Sequence, residues 1–104
     1  MNRLCCAVLT LLPLSAMAYP IEVEKQIDGV QVDYNAHDVF HDVGSISINN
    51  YGTVDARCSV VFRNGPEAPR TRRVQVEAGK SVDVTSHFNR SIITLRIKLN
   101  CEPV

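Results

Sequence analysis

Residues 53–63, TVDARCSVVFR, and residues 91–101, SIITLRIKLNC, decide the fold. In the first, Val54, Ala56, Cys58, Val60 and Phe62 fall on one side of an extended chain and Asp55, Arg57, Ser59, Val61 and Arg63 on the other. In the second, Ile93, Leu95, Ile97, Leu99 and Cys101 share a side, opposite Thr94, Arg96, Lys98 and Asn100. Successive side chains of a strand point to opposite faces, so both stretches read as strands half-buried on an apolar face. Cys58 and Cys101 each fall on the inward face of their own strand. A disulfide needs Cα atoms within about 7 Å and converging Cβ vectors, and this shared parity predicts a Cys58–Cys101 bridge.

Working outward, period two persists. Ile21, Val23 and Ile27 alternate with Glu22, Glu24 and Gln26. Asp28-Gly29 is a two-residue hairpin signal, because both turn positions favour positive φ. Such a turn sets Ile27 against Val30, Val23 against Tyr34 and the like-charged Glu24 against Asp33. Lys25 lies on the apolar face, which suits an edge strand whose amine reaches past the core to water. Ile46 and Ile48 form a strand ended by Asn49-Asn50-Tyr51-Gly52, and Asn64-Gly65-Pro66 with Pro69 breaks the chain into a loop. Val74 and Val76, the turn Ala78–Ser81, then Val82 and Val84 read as a further hairpin. About seven short strands with regular turns and no helical period predict an all-β fold, an immunoglobulin-like antiparallel sandwich with one disulfide.

The N-terminus reads as an export signal. Arg3 gives a positive start, Leu4–Leu14 is an apolar run of eleven residues, and Ala16-Met17-Ala18 presents the small residues a signal peptidase requires. Eleven apolar residues are too few to cross a hydrocarbon core of about 30 Å. No Cys follows the cleavage motif, which excludes a lipoprotein anchor. Residues 1–18 are thus expected to be removed, leaving Tyr19–Val104 as one domain of 86 residues, periplasmic or secreted, with no membrane span. A chain this short has a marginal core, and an oxidising compartment permits the disulfide that supplements it.

Net charge is zero, but it is not evenly spread. Residues 19–55 carry one base, Lys25, against seven acids; residues 56–104 carry nine bases against four acids. Either acidic and basic strands pair with one another, or a basic surface awaits an anionic partner. Arg57, Arg63, Arg96 and Lys98 all take outward positions on the two long strands. In one sheet they would form a cationic face for an anionic envelope component or an acidic protein, bound through guanidinium forks. Only Val61 and Thr94 intervene among these cations, and without aromatic rings for base stacking nucleic acid is not expected.

In His37-Asp38-Val39-Phe40-His41-Asp42, His37 and His41 could share a metal ion on a helix. Extended, the two rings stand about 13 Å apart and cannot. The segment has no helix caps and lies between strands, so a solvated polar loop is expected, with metal binding or an enzymatic role centred on these histidines as the alternative. His87 stands alone, no serine has a base near it in sequence, and pairing the cysteines removes the free thiols. No catalytic residue and no cofactor is predicted.

Ser45-Ile46-Ser47-Ile48-Asn49-Asn50-Tyr51-Gly52, then Val54, Ala56 and Val60, then Val74–Ser81 (VQVEAGKS) resemble bacterial cell-adhesion-related and fibronectin-III-like modules. The likeness covers about 40 residues and consists of turn chemistry. It implies a binding module on a sandwich scaffold. The chain lacks Trp, and Leu99 stands where antibody-type domains place a Tyr two residues before the second Cys. The whole chain also resembles small exported bacterial proteins of unknown role. Some of these bear the label 3-phosphoglycerate kinase, which implies a two-domain enzyme; this chain has neither a phosphate loop nor a βαβ unit. The expectation is an exported, non-enzymatic interaction or structural module of the cell envelope or periplasm.

Overall fold

The computed structural model describes residues 19–104; the predicted export segment, residues 1–18, lies outside the described residues. Seven strands form: β1 (Ile21–Ile27), β2 (Val32–Phe40), β3 (Val43–Asn50), β4 (Ala56–Asn64), β5 (Arg70–Val76), β6 (Ser81–His87) and β7 (Leu95–Pro103). They lie in two sheets, ordered β1-β7-β4-β5 and β2-β3-β6. Ile46, Ile48 and Val84 of the smaller sheet meet Val60, Phe62, Val76, Leu95, Ile97 and Leu99 of the larger in one buried core. The chain crosses between the sheets four times, from β1 to β2, β3 to β4, β5 to β6 and β6 to β7. Because β3 and β6 run antiparallel, the β3–β4 crossing lies beside the β5–β6 turn at the Asn50 end, and the β6–β7 crossing lies at the opposite end, beside the β2–β3 turn.

Cys58 and Cys101 are bridged, with Cα atoms 4.1 Å apart. They are direct partners in the β4–β7 ladder, and both are buried. The bridge therefore staples neighbouring strands of one sheet, unlike the inter-sheet bridge of antibody domains.

Several local expectations are corrected. Asp28-Gly29 makes a turn, with Gly29 at φ 77°, but it does not close a hairpin. β1 instead pairs in parallel with β7, so the sandwich is not wholly antiparallel. Asp28 N–H donates to Cys101 O at 3.1 Å, extending that ladder. The parallel register also has an electrostatic advantage: it sets Glu22 against Arg96 and Glu24 against Lys98, where the hairpin would have opposed Glu24 and Asp33. β1 is nevertheless an edge strand, as expected, and Lys25 lies 5.7 Å from the centre of the Tyr34 ring. The turn at Ala78–Ser81 likewise carries the chain from one sheet to the other, since β5 and β6 lie in different sheets.

The long strands are shorter than their periodicity suggested. β4 begins at Ala56, because Asn50 folds residues 51–55 into a loop: its Nδ2 donates to Val54 O at 2.8 Å and its Oδ1 accepts from Gly52 N–H at 3.0 Å. Val54 is consequently exposed. β7 begins at Leu95, and the alternation resets before it, leaving Ile92 buried and Ile93 82% exposed. The supposed polar loop at residues 37–42 is mostly strand: β2 runs to Phe40, and only His41 and Asp42 form the turn into β3.

Candidate functional site: an arginine-lined groove

The outer face of the larger sheet gathers all four predicted cations. Pairing of β4 with β7 places Arg57 opposite Glu102, Val61 opposite Lys98 and Arg63 opposite Arg96. Their circumstances differ. Arg57 lies 3.7 Å from Glu102 and Arg96 lies 3.4 Å from Glu22, while Lys98 has Glu24 as its neighbour across the ladder. Arg63 has no carboxylate within 4.0 Å among the described residues, and it faces a like charge. Like charges directly opposite on adjacent strands are destabilising, so folding alone gives no reason for this pair.

Arg63 and Arg96 border an open groove of about 570 Å³ at the end of the sheet. Arg90 from the β6–β7 loop supplies a third guanidinium, and Asn64, Ser91 and Thr94 add hydrogen-bonding side chains. No aromatic ring lines the groove. A second depression shares Arg63 and Arg96 and continues to Lys98 and to Glu22 and Glu24.

Arg90 enters this site because Glu67 holds its loop. The Glu67 carboxylate accepts from the backbone N–H of Asn89 at 3.1 Å and of Arg90 at 3.0 Å, and from Asn64 Nδ2 at 3.1 Å. Asn64 Nδ2 also donates to Arg90 O at 3.2 Å. Arg70 lies 3.6 Å from the same carboxylate, and its guanidinium sits 5.3 Å from the Phe88 ring centre. Burial of the Glu67 carboxylate opposes its ionisation, but the two backbone amides, Arg70 and the Asn64 amide outweigh that cost. The Glu67 pKa therefore lies below its ordinary value. Sequence reasoning missed Glu67 and Arg90. Glu67 is the single acid between Pro66 and Pro69, but nothing local says that the β4–β5 loop lies against the β6–β7 loop.

The histidines are dispersed. His37 lies exposed on β2 opposite Ser45, while His41 occupies the turn. Among the described residues, no group of three or more His, Cys, Asp or Glu side chains is placed to hold a metal ion. His41 does meet a serine: its Nδ1 is 2.9 Å from Ser91 Oγ. Its Nε2 is 4.0 Å from Asp42 Oδ1, too far for the hydrogen bond that would orient a general base. Asp42 instead bonds His87 Nε2 at 3.1 Å, and its backbone oxygen accepts from Phe88 N–H at 2.8 Å. His87, isolated in sequence, thus acquires a partner, and together these contacts tie the β2–β3 turn to the loop carrying Arg90.

Comparison with protein families, curated proteins and solved structures yields no match to this chain. Among the described residues, no helix is long and apolar enough to cross a membrane. The groove's chemistry is therefore the guide to function: three guanidiniums beside hydroxyl and amide groups can hold an oxyanion through charge-assisted, bidentate hydrogen bonds.

Proposed function

We propose that the chain is an exported, non-enzymatic module of the immunoglobulin-like kind, periplasmic or secreted, which binds an anionic component of the cell envelope through the groove of Arg63, Arg90 and Arg96. Export is supported by the N-terminal apolar run with its Ala16-Met17-Ala18 motif, and by a disulfide pair suited to an oxidising compartment. The fibronectin-III-like reading is supported by the two packed sheets and the Gly-bearing turns between strands.

The anion-binding reading rests on Arg63. Its direct opposition to Arg96, with no acid of its own within 4.0 Å among the described residues, costs stability and gains a site for negative charge. Of the four cations, Arg57 is paired with Glu102 and lies outside the groove, whereas Arg63 and Arg96, the latter also paired with Glu22, line it with Arg90, and Lys98 extends it.

Calorimetric titration with tripolyphosphate tests this reading. Binding is expected at low salt, weaker at physiological salt, where the Debye length is about 8 Å, and lost in Arg63→Glu. A protein that binds no tripolyphosphate at low salt, or an Arg63→Glu variant that binds it unchanged, contradicts the proposal.

A further inference from the structure

The exposed apolar side chains of this domain collect at its two ends. Tyr51, Val54 and Val104 mark the end where β3 stops and β4 starts. Ile93, Phe40 and Val39, which are 82%, 63% and 53% exposed, mark the opposite end. The second group lies at the end that carries the arginine-lined groove. Ile93 lines the same groove as Arg63, Arg90 and Arg96. Phe40 adjoins it through the turn: Ile92 N–H donates to His41 O at 2.7 Å, and Ser91 Oγ meets the His41 ring. The Phe40 ring itself rests 4.8 Å, centre to centre, from that ring. The segments bearing Phe40 and Ile93 are thus fastened together.

We propose that this end docks on a lipid bilayer surface bearing anionic phospholipids, with Phe40 and Ile93 entering the headgroup region while Arg63 and Arg90 engage phosphates. The inference rests on the anion-binding reading and names the partner of that site. Charge complementarity favours a lipid surface over a soluble polyanion. A soluble anion would use the guanidiniums alone and leave two large apolar side chains in water, whereas an interface takes up both. Carboxylates at this end are largely engaged: Glu67 by backbone amides and Arg70, Asp42 by His87, Glu22 by Arg96. Asp38 and Glu24 are the exceptions, with no cation within 4.0 Å among the described residues. Exposed apolar residues are common singly; here Ile93 lies among arginines on the loop held by Glu67, and the turn bearing Phe40 is fastened to that loop, which points to an interface.

The test is co-sedimentation of the oxidised protein with vesicles of mixed phosphatidylglycerol and phosphatidylcholine, against vesicles of phosphatidylcholine alone. Binding is expected only to the anionic vesicles and should fall with salt. Ile93→Ser and Phe40→Ser should each weaken it about tenfold while leaving the melting temperature unchanged, and Phe40→Ser, which lies outside the groove lining, should also leave tripolyphosphate affinity unchanged. Arg63→Glu with Arg90→Glu should remove both kinds of binding, and Tyr51→Ser at the far end should change neither. If wild-type protein holds tripolyphosphate but ignores anionic vesicles, or if Ile93→Ser and Phe40→Ser bind vesicles as wild type does, membrane docking is overturned and anion binding survives. Loss of vesicle binding in Tyr51→Ser also overturns it, by assigning docking to the other end. Failure to bind tripolyphosphate at all brings down the underlying reading as well.

Discussion

The two ends of this sandwich are built on the same plan with different chemistry. Each is organised by one side chain that binds the backbones of adjacent loops. At the end where β3 stops, that residue is Asn50, fully buried: its Nδ2 donates to Val54 O and Val76 O, its Oδ1 accepts from Gly52 N–H, and its own backbone pairs with Gly79 and Lys80. At the arginine end it is Glu67, ionised and a tenth exposed, binding Asn89 and Arg90. The charges around them differ as well. Near Asn50, Lys80 is paired with Glu77 and Arg57 with Glu102, while Asp55 accepts from Ala78 N–H. Near Glu67, Arg63 and Arg90 have no carboxylate within 4.0 Å among the described residues. The first end has most of its charged groups matched, Arg73 excepted; the second gathers unmatched positive charge in a groove, which is where a partner has something to gain.

The largest effect bears on the matched end, where the Cys58–Cys101 bridge lies. It closes 43 residues of chain. Replacing both cysteines with Ala should destabilise the protein by about 4 kcal/mol, read as a large fall in melting temperature. Native-state hydrogen exchange after reduction should show residues 50–58 and 99–103 losing protection before residues 64–70 and 88–94. The reverse order would mean that the bridge does not anchor the end assigned to it.

Asn50→Ala comes next. It leaves the buried carbonyl of Val76 without its donor and should cost about 3 kcal/mol in denaturant unfolding. A loss under about 1 kcal/mol would show that water replaces Asn50 and that this end is not organised by it.

Acid should divide the ends. The Glu67 pKa is lower in the folded than in the unfolded chain, so its contribution is fully present above the unfolded value and is lost as pH falls through the folded value. Amides of residues 89–91 should therefore exchange faster below the ordinary carboxylate range while those of residues 50–54 do not. Glu67→Gln should destabilise the domain at neutral pH and flatten this dependence.

The smallest effect is the most telling in sign. Arg63→Glu turns a like-charge pair with Arg96 into an opposite-charge pair, and should raise stability by about 0.5 kcal/mol as it removes anion binding. Lower stability would make Arg63 a structural residue after all.

Much of this architecture was legible in the residues. Alternation along residues 56–63 and 95–101 showed the two central strands, and the shared parity of Cys58 and Cys101 showed their bridge. What failed was everything set by which strands become neighbours. Asp28-Gly29 has hairpin chemistry, yet β1 lies beside β7, some 70 positions away, in a register that matches Glu22 and Glu24 to Arg96 and Lys98. Ile93 followed the strand's period but fell beyond its start, because the loop resets parity to bury Ile92. The site was half legible: outward parity assembled Arg57, Arg63, Arg96 and Lys98 on one face, but that parity carries no information about which of them finds an acid. Arg90 was invisible, since it depends on a contact between two loops.

Backbone amide chemical shifts, followed by NMR as tripolyphosphate is added at low salt, test the contrast between the ends most directly. The account predicts saturable shifts concentrated in residues 63–66 and 89–96, absent from residues 28–31, 51–55 and 77–80, and abolished in Arg63→Glu. Shifts centred instead on Arg57 and Glu102, or spread evenly over both ends, would contradict it.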